Sequence, residues 1–362
     1  MNRSLSGLRV FVTGGAGFIG SRLVGRLLGA GAQCWVYDSL HEQVHGVLAR
    51  PPELGAGVSL TVADIADGAS LAAALNSAAP HLVYHLAAET GTGQSSDEPA
   101  RYCRANVLGT ALLIEAVRSL PAPPHAVILA SSRAIYGEGE YRTSSGKLVT
   151  PGARSPALMS AGEFVPEAPG EGIIVPVATR EEACAAPASV YASTKLMQEH
   201  LLLQTGADAP WRRTILRFQN VYGPGQSLLN PYTGVLSIFT NILAEGGELD
   251  IYEDGQIVRD FVYVDDVVGA LLKAAEVADA ELIANIGSGH PTTILEAAYE
   301  LARLTGRPAA AVRISGRFRP GDIRHALADI QRAARSLDWR PSTDFATGAR
   351  ALVKWALSPT QG

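Results

Sequence analysis

The sequence predicts an α/β fold: a doubly wound parallel sheet with a smaller lobe toward the C-terminus. Three observations carry this. Short apolar segments alternate with Ala- and Leu-rich amphipathic ones through the first half. A glycine-rich turn joins the first apolar segment to the first helical one. From Gly223 the composition shifts to loop formers, with Pro224, Pro231 and scattered glycines. Continuous apolar strands alternating with helices mean a parallel sheet buried on both faces.

Taken in order, Leu8–Val12 reads as a strand and Phe18–Gly29 as a helix. Gln33–Tyr37 is a second strand, with Val58–Val62 and Leu82–Leu86 following. Ala69–Ser77 is a helix between the last two. Arg101–Ser119 reads as one long helix and Ala126–Ala130 as a further buried strand. The stretch from Glu138 to Pro187 is rich in Gly, Pro, Ser and Glu and lacks periodicity, so it reads as a long surface insertion. Helix resumes at Tyr191–Gln204 and strand at Arg213–Phe218. The expected division is residues 1–218, with the insertion at about 138–187, and 219–362, mainly a second lobe interleaved with the end of the sheet.

Composition narrows the class. At 47% apolar residues the chain is too hydrophobic to be disordered. Thirty Lys and Arg against 35 Asp and Glu leave a net charge of −5, and no basic block suggests nucleic acid or an anionic membrane. Cys34, Cys103 and Cys184 lie far apart without CxxC spacing, so we expect free thiols in a reducing cytoplasm and no metal site. No apolar run approaches a membrane span. Thr13-Gly14 interrupts the first apolar run, which argues against a signal peptide.

The strongest local motif is Thr13-Gly14-Gly15-Ala16-Gly17-Phe18-Ile19-Gly20, placed between strand and helix as a dinucleotide site requires. Gly14 permits a tight turn, Gly17 lets backbone approach a pyrophosphate, and Gly20 lets helix and strand pack closely. The free N–H groups at the helix start attract the phosphates. A plain strand–helix turn is the competing reading. Asp38 falls 24 positions after Gly14, at the end of the second strand, where an acid bonds a ribose 2′-OH. It can also be a strand-end cap. Ser39, Leu40 and His41 follow with no Arg or Lys to receive a 2′-phosphate, so NAD is favoured over NADP.

Two further motifs complete a constellation. Tyr191-Ala-Ser-Thr-Lys195 puts phenol and ammonium on one helix face. A nearby ammonium favours the phenolate, which suits Tyr191 to exchange a proton with an alcohol. A solvated helix face shows the same spacing by chance. Ser131-Ser132 ends a buried strand at the carboxyl edge of the sheet, where open α/β folds bind ligands. Ser132 is placed to hydrogen-bond a reacting oxygen, or simply to cap the strand.

The order of glycine turn, Asp38, Ser132, Tyr191 and Lys195 resembles the extended short-chain dehydrogenase/reductase family, a Rossmann-type fold, and within it the nucleotide-sugar epimerases and dehydratases. The resemblance covers nearly the whole chain. His85-Leu86-Ala87-Ala88 is similar to the family's cofactor loop and Asn106–Thr110 to its NxxGT helix. Gln219–Gly225 and Arg259–Asp266 resemble its substrate-side motifs. Arg319–Asp322 and Leu337–Pro341 resemble its C-terminal ones. The segments Ala88–Ser95 and Asn220–Leu228 are similar to the branch of dTDP-sugar 4-epimerases.

The resemblance implies Ser132, Tyr191 and Lys195 as catalytic residues. It implies cofactor contacts from Gly14, Gly17, Phe18, Ile19, Gly20, Asp38, Ser39, Asp64, Ile65, Leu86, Ala87, Ala88, Asn106 and Ser131, with Tyr191 and Lys195 again. Thr90, Ser132, Asn220, Arg259 and Arg319 would touch a nucleotide-diphosphate sugar. Each arginine can instead be in a surface ion pair with Asp260 or Asp322. Tyr136 and Tyr222 read equally as packed tyrosines with satisfied hydroxyls. Family dehydratases carry an Asp-Glu pair where this chain has Arg133-Ala134, so elimination is disfavoured, with Glu89 and Glu138 as carboxylates not yet placed. The implied activity is an NAD-dependent 4-epimerase of nucleotide sugars, including dTDP-6-deoxysugars. The alternatives are a decarboxylase or dehydratase of the same family, or a dinucleotide-binding sensor. A homodimer through the helices at 101–119 and 191–204 is also implied.

Overall fold

The structure is a computed structural model describing residues 5–46, 54–55, 57–205, 208–227, 234–319 and 321–358. Leu228, Pro231 and Pro320, all inside stretches discussed above, lie outside the described residues. The chain opens with β1 (Arg9–Thr13), α1 (Phe18–Gly29), β2 (Gln33–Asp38), the short α2 (Glu42–His45), β3 (Val58–Val62), α3 (Gly68–Ala78) and β4 (Leu82–His85). Then come α4 (Thr92–Asp97), α5 (Pro99–Tyr102), α6 (Gly109–Arg118) and β5 (Ala126–Ser132). β1, β2, β3, β4 and β5 pair in parallel, in the order β3-β2-β1-β4-β5. The direction of winding reverses between β1 and β4, and the carboxyl ends of these two strands frame the crevice where such sheets bind ligands.

The strands alternate their burial between two helical layers, as a two-residue repeat requires. Val10 and Val12 face one way and pack with Leu23, Val24 and Leu27 of α1. Phe11 faces the other way and packs with Leu71 and Leu75 of α3 and Leu113 and Val117 of α6. All of these side chains are at most 1% exposed, so truncating any one to alanine costs about 2–5 kcal/mol.

The helix expected over 101–119 is divided. Between α5 and α6 the backbone widens into a π-helical turn over Cys103–Leu108. Just past it, Gly109 packs so closely on Ile65 that a Cβ would meet Ile65 Cγ2 at 2.6 Å. The widened turn buries Asn106 completely. Such insertions recur at functional sites.

The insertion differs from its expectation. It contains β6 (Tyr141–Thr143), β7 (Leu148–Val149), α7 (Pro156–Ser160) and β8 (Ile174–Pro176), with β6 paired antiparallel to both neighbours. Strands this short are below the reach of periodicity. Glu138, Glu140 and Tyr141 are buried in it, because Arg154 pairs with Glu138 at 3.2 Å and with Glu253 at 2.8 Å, and Arg180 pairs with Glu140 at 2.7 Å. Ion pairs thus join the buried Met159, Phe164 and Ile174 in anchoring a polar sequence.

The chain continues with α8 (Val190–Thr205), β9 (Arg212–Phe218), β10 (Asn220–Tyr222), α9 (Val235–Ala244), β11 (Leu249–Ile251), β12 (Val258–Tyr263), α10 (Val264–Ala274) and β13 (Glu281–Ile286). β14 (Pro291–Thr293), α11 (Ile294–Leu304), β15 (Val312–Ile314), α12 (Gln331–Ser336) and α13 (Phe345–Ala356) complete it. β9 and β13 extend the main sheet to seven parallel strands, β3-β2-β1-β4-β5-β9-β13. A separate apolar cluster of Leu236, Leu243, Leu301 and Leu352 unites α9, α11 and α13. The two acids flanking α10's start are structural. Asp260 accepts from the backbone N–H groups of Ser288, Gly289 and Ala328, and Asp266 from those of Ser342 and Thr343.

Candidate functional site

The glycine turn sits at the carboxyl end of β1. Gly14 has φ +67°, and its missing Cβ is required because one would lie 2.6 Å from the Ala87 nitrogen. Gly20 faces the turn itself: a Cβ there would lie 2.2 Å from the Gly14 oxygen. Gly17 is different. A Cβ on it would make only one contact, at 3.4 Å. Its Cα therefore faces open space at the start of α1, which is the cradle a pyrophosphate needs.

Asp38 ends β2 and is anchored to the same turn. Its carboxylate accepts from Ala16 N at 3.0 Å and from Leu40 N at 3.0 Å. Ser39, Asp64 and Ile65 lie along the same side of the cavity. The Asp64 side chain pairs with Arg104 at 3.1 Å, so the residue meets the cavity already neutralised. Leu86, Ala87 and Ala88 form the wall after β4. Asn106 does not line the cavity. It holds that wall from beneath: its Oδ1 accepts from Glu89 N, and its Nδ2 donates to Glu89 O and Thr194 Oγ1. Thr90 lines the cavity, and its carbonyl accepts from the Tyr102 hydroxyl at 2.6 Å.

β5 delivers Ser132 and α8 delivers Tyr191 and Lys195 to the opposite wall. Ser132 and Tyr191 line this wall together, and Ser132 Oγ accepts from Ala134 N at 3.1 Å. Burial pushes the Tyr191 pKa up, while Ser132 and the Arg133 charge pull it back. Lys195 is buried, and burial pushes its pKa down to about 7, against a pull upward from Glu199. Its ammonium donates to Ala130 O and Gln198 Oε1, both at 2.8 Å.

Sequence reasoning missed what holds this lysine. Gln198 also donates to Thr110 Oγ1 at 2.7 Å. Thr110 meets His85 Nε2 at 2.8 Å, and Thr13 meets His85 Nδ1 at 2.7 Å. Burial pushes the His85 pKa down to about 3, so the imidazole is neutral. Glu199 accepts from Ser131 Oγ and takes a two-pronged guanidinium from Arg217. Arg217 lies over the Tyr136 ring at 5.1 Å and donates to its hydroxyl. The signal was present: Thr194, Lys195, Gln198, Glu199 and Leu202 form one buried helical stripe. Tyr136 and Tyr222 are packed tyrosines, with hydroxyls bonded to Asn285 and to the Phe345 carbonyl.

The other end of the cavity carries Arg133, Ala134, Gln219 and Asn220. Arg133 Nη1, Gln219 Oε1 and Asn220 Oδ1 are buried without a hydrogen-bond partner. Three unmatched polar atoms on one wall form a surface for a polar ligand. Arg259 and Arg319 do not line the cavity. Arg259 is not in a surface ion pair either; its Nη1 donates to Val258 O and Ile323 O. Arg319 lies over the Tyr252 ring at 5.0 Å. Glu89 lines the cavity but is paired with Arg101 at 2.8 Å. Glu138 is held by Arg154.

The cavity is about 760 Å³ and runs from the glycine turn to this polar wall. Among the described residues no cluster of metal ligands occurs, and no helix is long and apolar enough to cross a membrane. The open Cα at Gly17, the anchored Asp38 and the length of the groove fit a dinucleotide.

Comparison with known proteins agrees with this geometry. A family model described as NAD dependent epimerase/dehydratase matches residues 10–156 and 158–287. The chain is 40% identical over 357 residues to dTDP-L-rhamnose 4-epimerase of Burkholderia thailandensis, covering 98% of this chain and 97% of that one. It is 32% identical to UDP-glucose 4-epimerase of Mycolicibacterium smegmatis, covering 98% and 100%. The solved UDP-glucose 4-epimerase of Thermotoga maritima with UDP-glucose superposes with a TM-score of 0.79 at 30% identity, covering 96% and 97%. MoeE5 in complex with UDP-glucuronic acid and NAD superposes at 0.75 and 30%, covering 96% and 98%. The chain belongs to the NAD-dependent epimerase/dehydratase family.

Proposed function

We propose that the protein is an NAD-dependent nucleotide-sugar 4-epimerase that inverts C4 by transient oxidation and re-reduction. The convergence of Ser132, Tyr191 and Lys195 on one wall of a cavity that begins at the Gly14–Gly20 turn carries this reading. The dinucleotide would lie with its pyrophosphate at the start of α1, one ribose on Asp38, its adenine beside Asp64 and Ile65, and its other ribose on Lys195. NAD supplies reversible hydride exchange with the sugar carbon when bound.

The chain's own residues do the rest. Tyr191 takes the proton from the sugar 4-hydroxyl and later returns it to the same oxygen. Ser132 orients that oxygen. Lys195 sits one turn along the same helix as Tyr191, and its bonds to Ala130 O and Gln198 Oε1 fix its position. Because the hydride and proton both return, the net redox change is zero.

Arg133 and Ala134 disfavour elimination, since neither supplies a carboxylic acid at the sugar end. Glu89 and Glu138 are already held by arginines. The relatives support dTDP- or UDP-linked sugars, with a dTDP-6-deoxysugar favoured by the 40% identity to the rhamnose enzyme. Asn220 and Thr90, which line the cavity, would contact the sugar, whereas Arg259 and Arg319 stand off its wall. The reading includes a nucleotide-binding unit over 1–218 and a sugar-binding lobe mainly over 219–362. It also includes a homodimer, supported by exposed Leu108 and Met197 on the two helical segments, and a cytoplasmic location, supported by free cysteines. Incubation with dTDP-L-rhamnose and UDP-glucose, followed by NMR, tests it. A C4 epimer of equal mass is expected; loss of water or carbon dioxide refutes the reading.

A further inference from the structure

A second polar network stands at the glycine-turn end of the cavity, away from the proposed chemistry. In the main sheet β2 and β4 flank β1, so the segments leaving their carboxyl ends lie on opposite sides of the glycine turn. α2 follows β2, and α4 follows β4. Both segments line the cavity, with Gln43 and His45 on one side and Glu89, Thr90 and Thr92 on the other. Side chains join them. Gln43 Nε2 donates to Gln94 Oε1 at 3.0 Å, and Gln94 Nε2 donates back to Gln43 Oε1 at 3.3 Å. Arg101 Nη2 donates to the same Gln43 oxygen at 3.1 Å and to Glu89 Oε2 at 2.8 Å. Glu98 completes the set, accepting from Gln94 Nε2 at 2.8 Å and from Arg101 Nη1 at 3.0 Å. Gln94 is 6% exposed, and the buried Ser95 and Tyr102 anchor α4 and α5 beside it. α2 has no such anchor, because none of its four residues is buried. An element that buries so little opens at small cost.

We propose that the Gln43–Gln94 amide pair, with Arg101, is a strap across the cofactor groove: α2 swings aside to admit NAD, and the pair then retains it between turnovers. The proposal rests on the reading that the dinucleotide lies along the groove from the Gly14–Gly20 turn. A retained cofactor suits the proposed reaction. The hydride returns to the sugar it came from, so nothing requires exchange after each cycle, and release before re-reduction would strand a keto sugar. A bridge between the two walls slows exit without touching the reacting atoms. Gln94 does not line the cavity, so its part is to hold Gln43 in place. The reciprocal pairing needs a donor and an acceptor from each residue, which an amide supplies and a carboxylate or thioether does not. Arg101 reinforces the bridge as a charged donor, and Glu89 and Glu98 fix its guanidinium on the α4 side.

The test is the rate of cofactor exchange. Protein saturated with NADH is chased with excess NAD, and the loss of bound NADH fluorescence gives the release rate. A fluorescence titration gives the dissociation constant, and the two together give the entry rate. Gln94→Met keeps the side-chain length, removes the amide and leaves the cavity lining as it is. It is expected to speed release about tenfold, and entry with it, because a strap obstructs both directions. Gln43→Met should do the same. The double variant should release no faster than either single one, since all three break one bridge. Gln43→Glu keeps the oxygen that accepts from Arg101 and Gln94, and should restore part of the slow release. Melting temperature is the folding control. If Gln94→Met does not fold, Gln43→Met carries the test, because α2 buries nothing. Unmoved rates in the single variants, or additive effects in the double variant, overturn the proposal. Faster release with unchanged entry makes Gln43 an ordinary cofactor contact and overturns it as well. A wild type that binds no NADH overturns the placement of the dinucleotide and the strap with it, whereas slow release shared by wild type and variants overturns the strap alone.

Discussion

Two glycines in one helix separate backbone shaping from helix propensity. In Gly20→Ala the new Cβ lands 2.2 Å from the Gly14 oxygen and 2.7 Å from Gly15 Cα, both backbone atoms that cannot rotate away. Ordinary contact begins near 3.4 Å, so the turn must withdraw by about 1 Å. Gly25 lies in the same helix, and a Cβ added there would meet nothing within 4 Å. Alanine gains roughly 1 kcal/mol of helix propensity at either site. At Gly20 overpacking costs about 1–3 kcal/mol against that gain. Since the propensity cancels between the two, Gly20→Ala should be about 2 kcal/mol less stable than Gly25→Ala. The displaced N–H groups should also weaken NAD binding roughly tenfold or more, equivalent to about 1.4 kcal/mol. Chemical denaturation and calorimetric titration with NAD measure both quantities. Equal stability of the two variants with unchanged NAD affinity in Gly20→Ala would refute the claim that this turn is shaped by close backbone approach.

Further outcomes follow from the same geometry. Tyr191→Phe should lower kcat by roughly 10²–10⁴-fold while NAD still binds, read by steady-state kinetics and titration. Arg217→Met leaves Glu199 buried beside Ser131 without its cation, and should cost about 3–5 kcal/mol by denaturant unfolding. His85 has a pKa of about 3 folded against the ordinary 6.5, so the unfolded chain takes the proton first. Stability should therefore fall as pH drops from 6.5 toward 3. By pH 5 the wild type should have lost about 2 kcal/mol relative to its neutral-pH value, a loss that His85→Gln lacks. Parallel slopes for the two proteins over that range would count against a neutral, buried imidazole.

The sheet is legible in the sequence because its strands are apolar without interruption and its first turn needs glycine for steric reasons. Val58–Val62 and Phe18–Gly29 occupy the spans expected of them. The break in the long helix is hidden because a π-helical turn keeps helical composition while changing its path. The order within the insertion is hidden because buried ion pairs and scattered apolar residues anchor it without a periodic pattern. At the site, Ser132, Tyr191 and Lys195 converge as their spacing and strand-end position suggest. The polar network beneath them escapes motif reading, although the i+3 and i+4 positions from Lys195 carry Gln198 and Glu199. Arg259 and Arg319 illustrate the opposite limit. Motif position cannot say whether a guanidinium faces a cavity or its own backbone carbonyls.

The most direct test of the account is to supply a nucleotide sugar deuterated at C4, dTDP-L-rhamnose first and UDP-glucose second, and to follow it by NMR and mass spectrometry in ordinary water. Epimerisation through Tyr191 and hydride exchange predicts inversion at C4 with the deuterium retained at that carbon and the mass unchanged. Washout of the label, or a product lighter by water or carbon dioxide, would contradict it.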